Sequence, residues 1–149
     1  MNYFSIIKQT IWSGIIAALV MIPPGILFKY FDLHIGNYGP KFGALLFGEI
    51  NPIMLFIQHI IISCLSAVPL IILFAKTSCK RIPILTGIIY GVIYYLVVNS
   101  LVLPISFKDQ TPWELGFNYI YPSLVIHIIY GASVGFTSRR FIKSYLNNA

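Results

Sequence analysis

Charged residues are scarce in this chain, and acidic residues are the scarcest of them. Only 9% of the 149 residues are charged, and four are acidic. Because soluble domains carry about a quarter charged residues, a soluble globular domain is excluded. Asp32, Glu49, Asp109 and Glu114 all fall in polar segments, none inside a long apolar stretch. Without an acid inside an apolar stretch, the usual centre of a proton-coupled drug exporter is missing.

Cysteines and catalytic motifs are also scarce. Cys64 lies within an apolar stretch and Cys79 in a polar connection, with no Cys-x-x-Cys pair. We therefore expect no disulfide, and a membrane disulfide oxidoreductase is excluded. The chain has no Walker loop, no His-Glu-x-x-His motif and no recognisable Ser-His-Asp set. The sequence predicts a protein that is not an enzyme, with no catalytic residues, cofactor or metal.

Long apolar stretches make up most of the chain, which is 58% hydrophobic. They lie near Ile11–Phe31, Ile53–Ala75, Ile82–Ile105 and Phe117–Ser138. Roughly 20 helical residues cross a hydrocarbon core about 30 Å thick. Strands would need a closed barrel and an alternating pattern, which the sequence lacks. The prediction is an all-α membrane protein, a single integral-membrane domain over residues 1–149 with four transmembrane helices.

The basic residues predict the orientation of these helices. Segments 1–10, 76–81 and 139–149 contain no acid but carry Lys8, Lys76, Lys80, Arg81, Arg139, Arg140 and Lys143. Basic segments stay on the cytoplasmic side, so both termini are expected in the cytoplasm. The net charge of +6 is explained by this placement at membrane boundaries, and no nucleic-acid partner is expected.

Prolines interrupt the first apolar stretch. Pro23 and Pro24 each remove a backbone donor, and Gly25 follows them, so we predict a helix break at these three residues. Two forms of the break stay open: a kink after which the helix resumes, or an end near Ile22 followed by irregular chain. In the loop that follows, the apolar run Phe42–Phe47 predicts a short helix in the membrane interface.

The two halves of the chain resemble each other. The segment Gly14–Ala18 is similar to Gly87–Gly91, and prolines and an acidic loop follow each segment. His59 lies 45 residues after Gly14, and His127 lies 40 residues after Gly87. Since both halves begin on the same side of the membrane, the pattern predicts two parallel αα-hairpin repeats.

Small residues predict where the helices pack closely, because glycines let helix backbones approach in lipid. Two pairs of glycines are spaced by four residues: Gly87 with Gly91, and Gly131 with Gly135. Gly14 marks a similar position in the first helix. Whether these faces meet within one chain or between chains stays open. They suggest a homo-oligomer or a subunit of a membrane complex.

Polar residues within the apolar stretches predict a seam inside the bundle, since spacings of three and four place residues on one helix face. The predicted seam consists of His59, Ser63, Ser66, Tyr94, Asn99, Ser123, His127 and Tyr130. Three roles for the two histidines stay open: neutral structural imidazoles, proton- or substrate-handling groups in a pore, and axial ligands of a haem. Two histidines without a carboxylate make a poor metal site.

The second half of the chain also resembles a family of bacterial proteins. The similar residues are Gln58-His59-Ile60-Ile61-Ile62-Ser63, Pro83 with Gly87-Ile88-Ile89-Tyr90-Gly91, Leu103-Pro104, Thr111-Pro112-Trp113, His127 and Arg139-Arg140. They resemble the YagU-like inner-membrane proteins, and the Pro-x-x-x-Gly-x-x-x-Gly part is similar to the YqhR-like proteins. The resemblance implies a bacterial inner-membrane location and four spans. It implies no biochemical activity.

Three functions follow as expectations from these patterns. The preferred one is a non-enzymatic accessory, scaffold or sensor protein that oligomerises in the lipid bilayer. The first alternative is a small channel or transporter with a path lined by His, Ser and Tyr. The second alternative is a haem-binding electron carrier that uses His59 and His127.

Overall fold

The computed structural model describes residues 3–35, 38–48, 51–77 and 82–147, and these residues form helices and connections without strands. The helices are α1 (Tyr3–Tyr30), α2 (Gly39–Phe47), α3 (Pro52–Lys76), α4 (Pro83–Tyr94), a π-helical segment (Tyr95–Val102), α5 (Leu103–Phe107), α6 (Pro112–Leu115), α7 (Phe117–Thr137) and α8 (Arg139–Asn147). Glu49, Cys79, Lys80 and Arg81 lie outside the described residues.

Four helices are long and apolar enough to cross a membrane, which confirms the predicted helical class. They are Tyr3–Tyr30, Pro52–Lys76, Pro83–Phe107 and Phe117–Thr137. The first begins eight residues before the predicted start at Ile11, because a helix can continue past the hydrocarbon core where water solvates its polar side chains. The side of the membrane on which each end lies stays a prediction.

The helix break predicted at Pro23, Pro24 and Gly25 needs a correction. α1 continues through all three residues to Tyr30, so the form in which the helix ends near Ile22 is wrong. Two missing backbone donors remove two hydrogen bonds from a helix of 28 residues. Packing against neighbouring helices can compensate for that loss in a membrane bundle.

The third span contains the irregularity that the sequence did not predict. Between α4 and α5 the chain forms a π-helix over Tyr95–Val102, in which the Leu103 amide donates to the Val98 carbonyl five residues earlier. Pro104 follows directly and has no amide to donate. The wider π turn accommodates this loss, and π segments of this kind are frequent at functional sites.

α1 and α3 pack antiparallel at very short range around Gly14. A Cβ atom on Gly14 would lie 2.5 Å from the Cα atom of Cys64, closer than any side chain fits. Hydrogen bonds extend the contact, since the Ser63 hydroxyl donates to the Gly14 carbonyl at 2.7 Å. The Cys64 thiol also points toward the Ile11 carbonyl, at 3.6 Å. The first hairpin is therefore held by close contact between the backbones of α1 and α3 and by these hydrogen bonds.

α4 and α7 form the second antiparallel hairpin through the predicted glycines. A Cβ atom on Gly87 would lie 2.0 Å from the Gly131 carbonyl oxygen, and one on Gly135 would lie 2.2 Å from the Pro83 carbonyl oxygen. Gly91 approaches the His127 carbonyl in the same way. The glycine faces are thus used within one chain, and they no longer provide an argument for a homo-oligomer, which stays a prediction.

The two interfaces between the hairpins, α1 with α7 and α3 with α4, are packed to different extents. α1 packs along α7, with a polar network in which the Gln9 amide donates to the Ser13 hydroxyl at 2.7 Å and Thr137 donates to the same hydroxyl at 2.8 Å. α3 and α4 instead meet at few positions. One side of the bundle is closed and the other side is loosely packed.

An apolar core fills the half of the bundle nearest α8. Leu70, Ile71 and Phe74 of α3 and Val134 of α7 are at most 1% exposed. Ile142, 3% exposed, inserts α8 into the same cluster. α8 was not predicted. Its register places Ile142 on the inner face, and its three cationic side chains fall on the remaining surface.

The opposite end of the bundle is covered by α2 and the α5–α6 loop. α2 begins at Gly39, earlier than the predicted Phe42, and the Gln58 amide of α3 donates to the Gly39 carbonyl at 2.9 Å. Lys41 forms an ion pair with Asp109 of the α5–α6 loop. Phe42 packs edge-on against Phe107. These contacts position a cover over the centre of the bundle.

Candidate functional site

A cavity of about 330 Å³ lies beneath this cover, between α3 and the third span. We call it the seam cavity. Seven of the eight predicted seam residues line it: His59, Ser63, Ser66, Tyr94, Asn99, His127 and Tyr130. The eighth, Ser123, is fully buried beside it and does not line it. Its volume is at the lower end of the range for small-molecule pockets.

His59 faces α1 just below the proline pair. One of its ring nitrogens, Nε2, lies 3.2 Å from the Ala18 carbonyl oxygen. A carbonyl oxygen only accepts hydrogen bonds, so Nε2 carries the proton and donates. In the neutral ring the other nitrogen, Nδ1, is left with a free lone pair. The sequence predicted that His59 shares a face with Ser63 but could not identify Ala18 as its partner.

His127 has the opposite tautomer. Its Nδ1 lies 2.6 Å from the Ser123 carbonyl oxygen, one turn earlier on α7, and therefore donates. Nε2 is then the nitrogen with the lone pair. The ring stacks on Tyr94 with centroids 5.7 Å apart and contacts Tyr95 at 5.6 Å. Tyr95, fully buried, was missed because nothing in the sequence distinguishes it from other apolar-facing tyrosines.

Tyrosines join α3 to the other hairpin across the seam cavity. The Tyr94 hydroxyl and the Ser66 hydroxyl are 2.8 Å apart, and Tyr90 donates to the Ser66 carbonyl at 2.5 Å. Tyr130 donates to the Ser63 carbonyl at 2.7 Å. The loosely packed side of the bundle is thus held by directional hydrogen bonds at the floor of the cavity.

Asn99 is the polar side chain of the cavity whose donor is unused. It is 6% exposed, and its Nδ2 atom has no hydrogen-bond partner. A buried donor without a partner costs about 1–3 kcal/mol. The π-helical segment holds Asn99, so the same irregularity that accommodates Pro104 also sets the direction of this amide.

A second, larger cavity of about 740 Å³ lies above the cover, toward the α2 end of the bundle. We call it the vestibule; Lys29, His34, Lys41, Asp109 and Tyr119 are among its lining residues. Ile35 and Tyr38 line both cavities, so the two cavities are adjacent there. Burial, with a smaller contribution from the Asp109 carboxylate, raises the pKa of Tyr38. Tyr38 therefore stays protonated and neutral at physiological pH.

The seam cavity is uncharged and does not fit a metal or a haem. Among the described residues no charged side chain lines it, and no group of three or more His, Cys, Asp or Glu side chains gathers anywhere in this part of the chain. A haem would also need basic partners for its propionates, which the lining lacks.

The sequence missed a second buried polar network and the vestibule. Gln9, Ser13 and Thr137 join α1 to α7 at the α8 end, and the vestibule depends on loop positions that no periodicity predicts. Comparison of the chain with protein-family models, with curated proteins and with solved structures finds no match.

Proposed function

We propose that this chain is a non-enzymatic membrane sensor that binds a small uncharged molecule with a hydroxyl group in the seam cavity. The ligand reaches the cavity from outside the cell through the vestibule. The charge pattern supports this orientation, with both termini and α8 in the cytoplasm and the acidic loops outside. The resemblance to the YagU-like proteins supports a bacterial inner membrane.

The unused amide of Asn99 is the observation that carries this proposal. Nδ2 donates, so it selects a ligand atom that accepts. The lone pairs of His59 Nδ1 and His127 Nε2 accept, so they select a ligand atom that donates. A hydroxyl group does both. The stacked Tyr94 and His127 rings supply a flat apolar wall for the rest of the molecule.

The cavity favours an uncharged ligand. No lysine, arginine, aspartate or glutamate among the described residues lines it, and a charge buried within a membrane without a counter-charge is costly. A short alcohol or the head of a larger neutral amphiphile fits this space.

A sensor is favoured over a channel because the cavity closes toward α8. The tyrosine–serine bonds form its floor, and the fully buried Leu70, Phe74 and Val134 pack beneath them. A channel would need a continuous path through this region.

Transport is the second candidate, favoured by the unequal joining of the hairpins. If the two hairpins are parallel repeats, the α1–α7 and α3–α4 interfaces are equivalent by symmetry, yet only the first is closely packed. The repeat is supported by matching contacts, since Ala18 meets His59 and Gly91 meets His127 at the same offset from Gly14 and Gly87. An interface that separates easily is the kind that alternating access uses.

Photolabelling tests the proposed ligand class. Octanol bearing a diazirine is the probe, and protein in detergent micelles is irradiated and mapped by mass spectrometry. We expect labels on α3 and α7 beside the cavity, competition by octanol, and little competition by octanoate or octane. Asn99→Leu should reduce labelling several-fold. Equal labelling of the variant, or equal competition by octane, would refute a hydroxyl-selective site.

Cysteine accessibility separates a sensor from a transporter. In a background with Cys64→Ser and Cys79→Ser, Met21→Cys introduces a thiol at the cavity wall, and Ala17→Cys places a matched thiol one turn away in the core. A charged methanethiosulfonate reagent added outside should modify position 21 and spare position 17. Modification of position 21 from the cytoplasmic side as well would favour transport.

A Soret band in the purified protein would favour the haem-binding alternative.

A further inference from the structure

A third cavity lies at the α8 end of the bundle, far from the seam cavity. It is a groove of about 1150 Å³ between α1, the start of α4 and α8. We call it the basic groove. Its apolar wall includes Trp12, Ile82 and Leu85, and Arg139, Arg140 and Lys143 line its edge. The groove thus combines a wide apolar surface with a row of cations.

The position of these cations follows from the docking of α8. Ile142 is 3% exposed and inserts into the apolar core, which fixes the rotation of the helix. Arg139 and Arg140 are adjacent, and Lys143 follows them by four and three residues. All three therefore lie on the face of α8 that Ile142 leaves free, and all three line the basic groove. Arg139 also lies over the Phe136 ring at 4.9 Å. The helix therefore presents three cations in one direction beside an apolar surface.

No carboxylate neutralises this row within the described residues. The ion pair among the described residues joins Lys41 to Asp109, at the other end of the bundle. In the whole sequence, segments 76–81 and 139–149 contain no acidic residue. An anion bound at this row would therefore meet no competing carboxylate among the described residues.

The apolar wall exposes large hydrophobic side chains, which contact with water would leave unfavourably solvated. Trp12 is 59% exposed, Ile82 56% and Leu85 49%, and all three line the groove. An indole at this depth is typical of the membrane–water interface. Acyl chains running along α1 and α4 would cover this wall while a headgroup lies at the level of α8.

We propose that the basic groove is a binding site for an anionic phospholipid. The guanidinium groups of Arg139 and Arg140 bind the phosphate, which matches their planar arrangement of donors, and Lys143 adds a third positive charge. The acyl chains lie against Trp12 and Leu85. Basic pockets between transmembrane helices on the cytoplasmic side are suited to anionic headgroups. This site is independent of the function proposed for the seam cavity.

Quenching of Trp12 by brominated lipids tests the proposal. Trp113→Phe leaves Trp12 as the single tryptophan, and the protein is reconstituted with dibrominated phosphatidylglycerol or dibrominated phosphatidylcholine as a minor component. Each basic residue near an anionic lipid contributes about fivefold in binding. We expect phosphatidylglycerol to bind at least about fivefold better than phosphatidylcholine.

Variants at the cations identify the site. Arg139→Gln, Arg140→Gln and Lys143→Gln together should bring the ratio near one. Lys108→Gln, at an exposed lysine of the α5–α6 loop at the opposite end, should leave it unchanged. Should the triple variant fail to fold, Arg140→Lys alone keeps the charge, removes the planar donor pair and should reduce the preference. A wild-type ratio near one, or a preference retained in both cation variants, would overturn the proposal.

Competition by a soluble phosphate distinguishes a lipid from free phosphate. Glycerol 1-phosphate has the headgroup chemistry but no acyl chains, so it should not relieve quenching by brominated phosphatidylglycerol. Relief of quenching would show that the phosphate alone is recognised, and it would overturn the assignment to a lipid.

Discussion

Replacing Gly131 by alanine tests the tightest glycine contact among the described residues. A Cβ atom at this position would lie 1.9 Å from the Gly87 carbonyl oxygen and 2.7 Å from its carbonyl carbon. Both are backbone atoms in the middle of α4, so no side-chain rotation can relieve the clash. The helices α4 and α7 have to separate.

The distance that they must separate sets the size of the effect. Ordinary contact begins at 3.4 Å, so the Cβ atom needs about 1.5 Å more room. A gap of even 0.5–1 Å forfeits about a quarter to a half of each dispersion contact, and overpacking of this kind costs about 1–3 kcal/mol. Alanine returns up to about 1 kcal/mol through its higher helix propensity. We expect a net destabilisation of about 2 kcal/mol, because the whole helix pair has to move.

Reversible unfolding by SDS in mixed micelles, followed by tryptophan fluorescence, measures this change. Gly25→Ala is the matched control, since its Cβ atom would lie 3.7 Å from the Ile35 side chain, at ordinary contact distance. The control should leave stability unchanged or raise it by up to about 1 kcal/mol. If Gly131→Ala is as stable as the wild type, the reasoning that α4 and α7 meet backbone to backbone is refuted.

Two further predictions concern the hydrogen bonds of Tyr130 and Glu114. Tyr130→Phe removes the bond to the Ser63 carbonyl and should destabilise the protein by about 0.5–1.5 kcal/mol in the same unfolding assay; an unchanged midpoint would show that the carbonyl finds another donor. At the second outer loop, the Thr111 backbone amide and then its hydroxyl lower the pKa of Glu114. The stabilisation is therefore present above the ordinary glutamate pKa and is lost as the pH falls through the lower folded pKa. Carbon-13 NMR titration should show that low midpoint, and Thr111→Ala should raise it partway; an ordinary glutamate midpoint in the wild type would contradict the capping box.

The sequence was sufficient to predict the four long apolar helices, and it placed seam residues on common helix faces. Hydropathy predicts spans because a hydrocarbon core of fixed thickness demands a minimum length of apolar helix. Spacing by three and four predicts that His59, Ser63 and Ser66 share a face, because the helix has 3.6 residues per turn. Both are local properties of the chain, and neither depends on which helix lies beside which.

Contacts between distant segments were decided only by the tertiary structure. The sequence could not tell whether Gly87 and Gly131 meet within one chain, because small-residue faces look the same in both cases. It left open whether α1 ends or resumes at Pro23 and Pro24, and the structure shows that α1 continues through them. It also gave no sign that α8 docks through Ile142. A basic segment predicts a solvated helix, and only the tertiary structure shows that Ile142 packs into the apolar core.

What the sequence determined by itself is that the described part of the chain contains four helices long and apolar enough to cross a membrane, because hydropathy and helical period act along the chain. It also predicted a polar face on three of these helices. The tertiary structure alone decided that seven of the predicted polar residues line one cavity. That outcome depends on α1 packing closely along α7 while α3 is joined to the second hairpin by tyrosine hydrogen bonds. Close packing is a property of pairs of surfaces, and each surface becomes defined only once the chain has brought it against its partner.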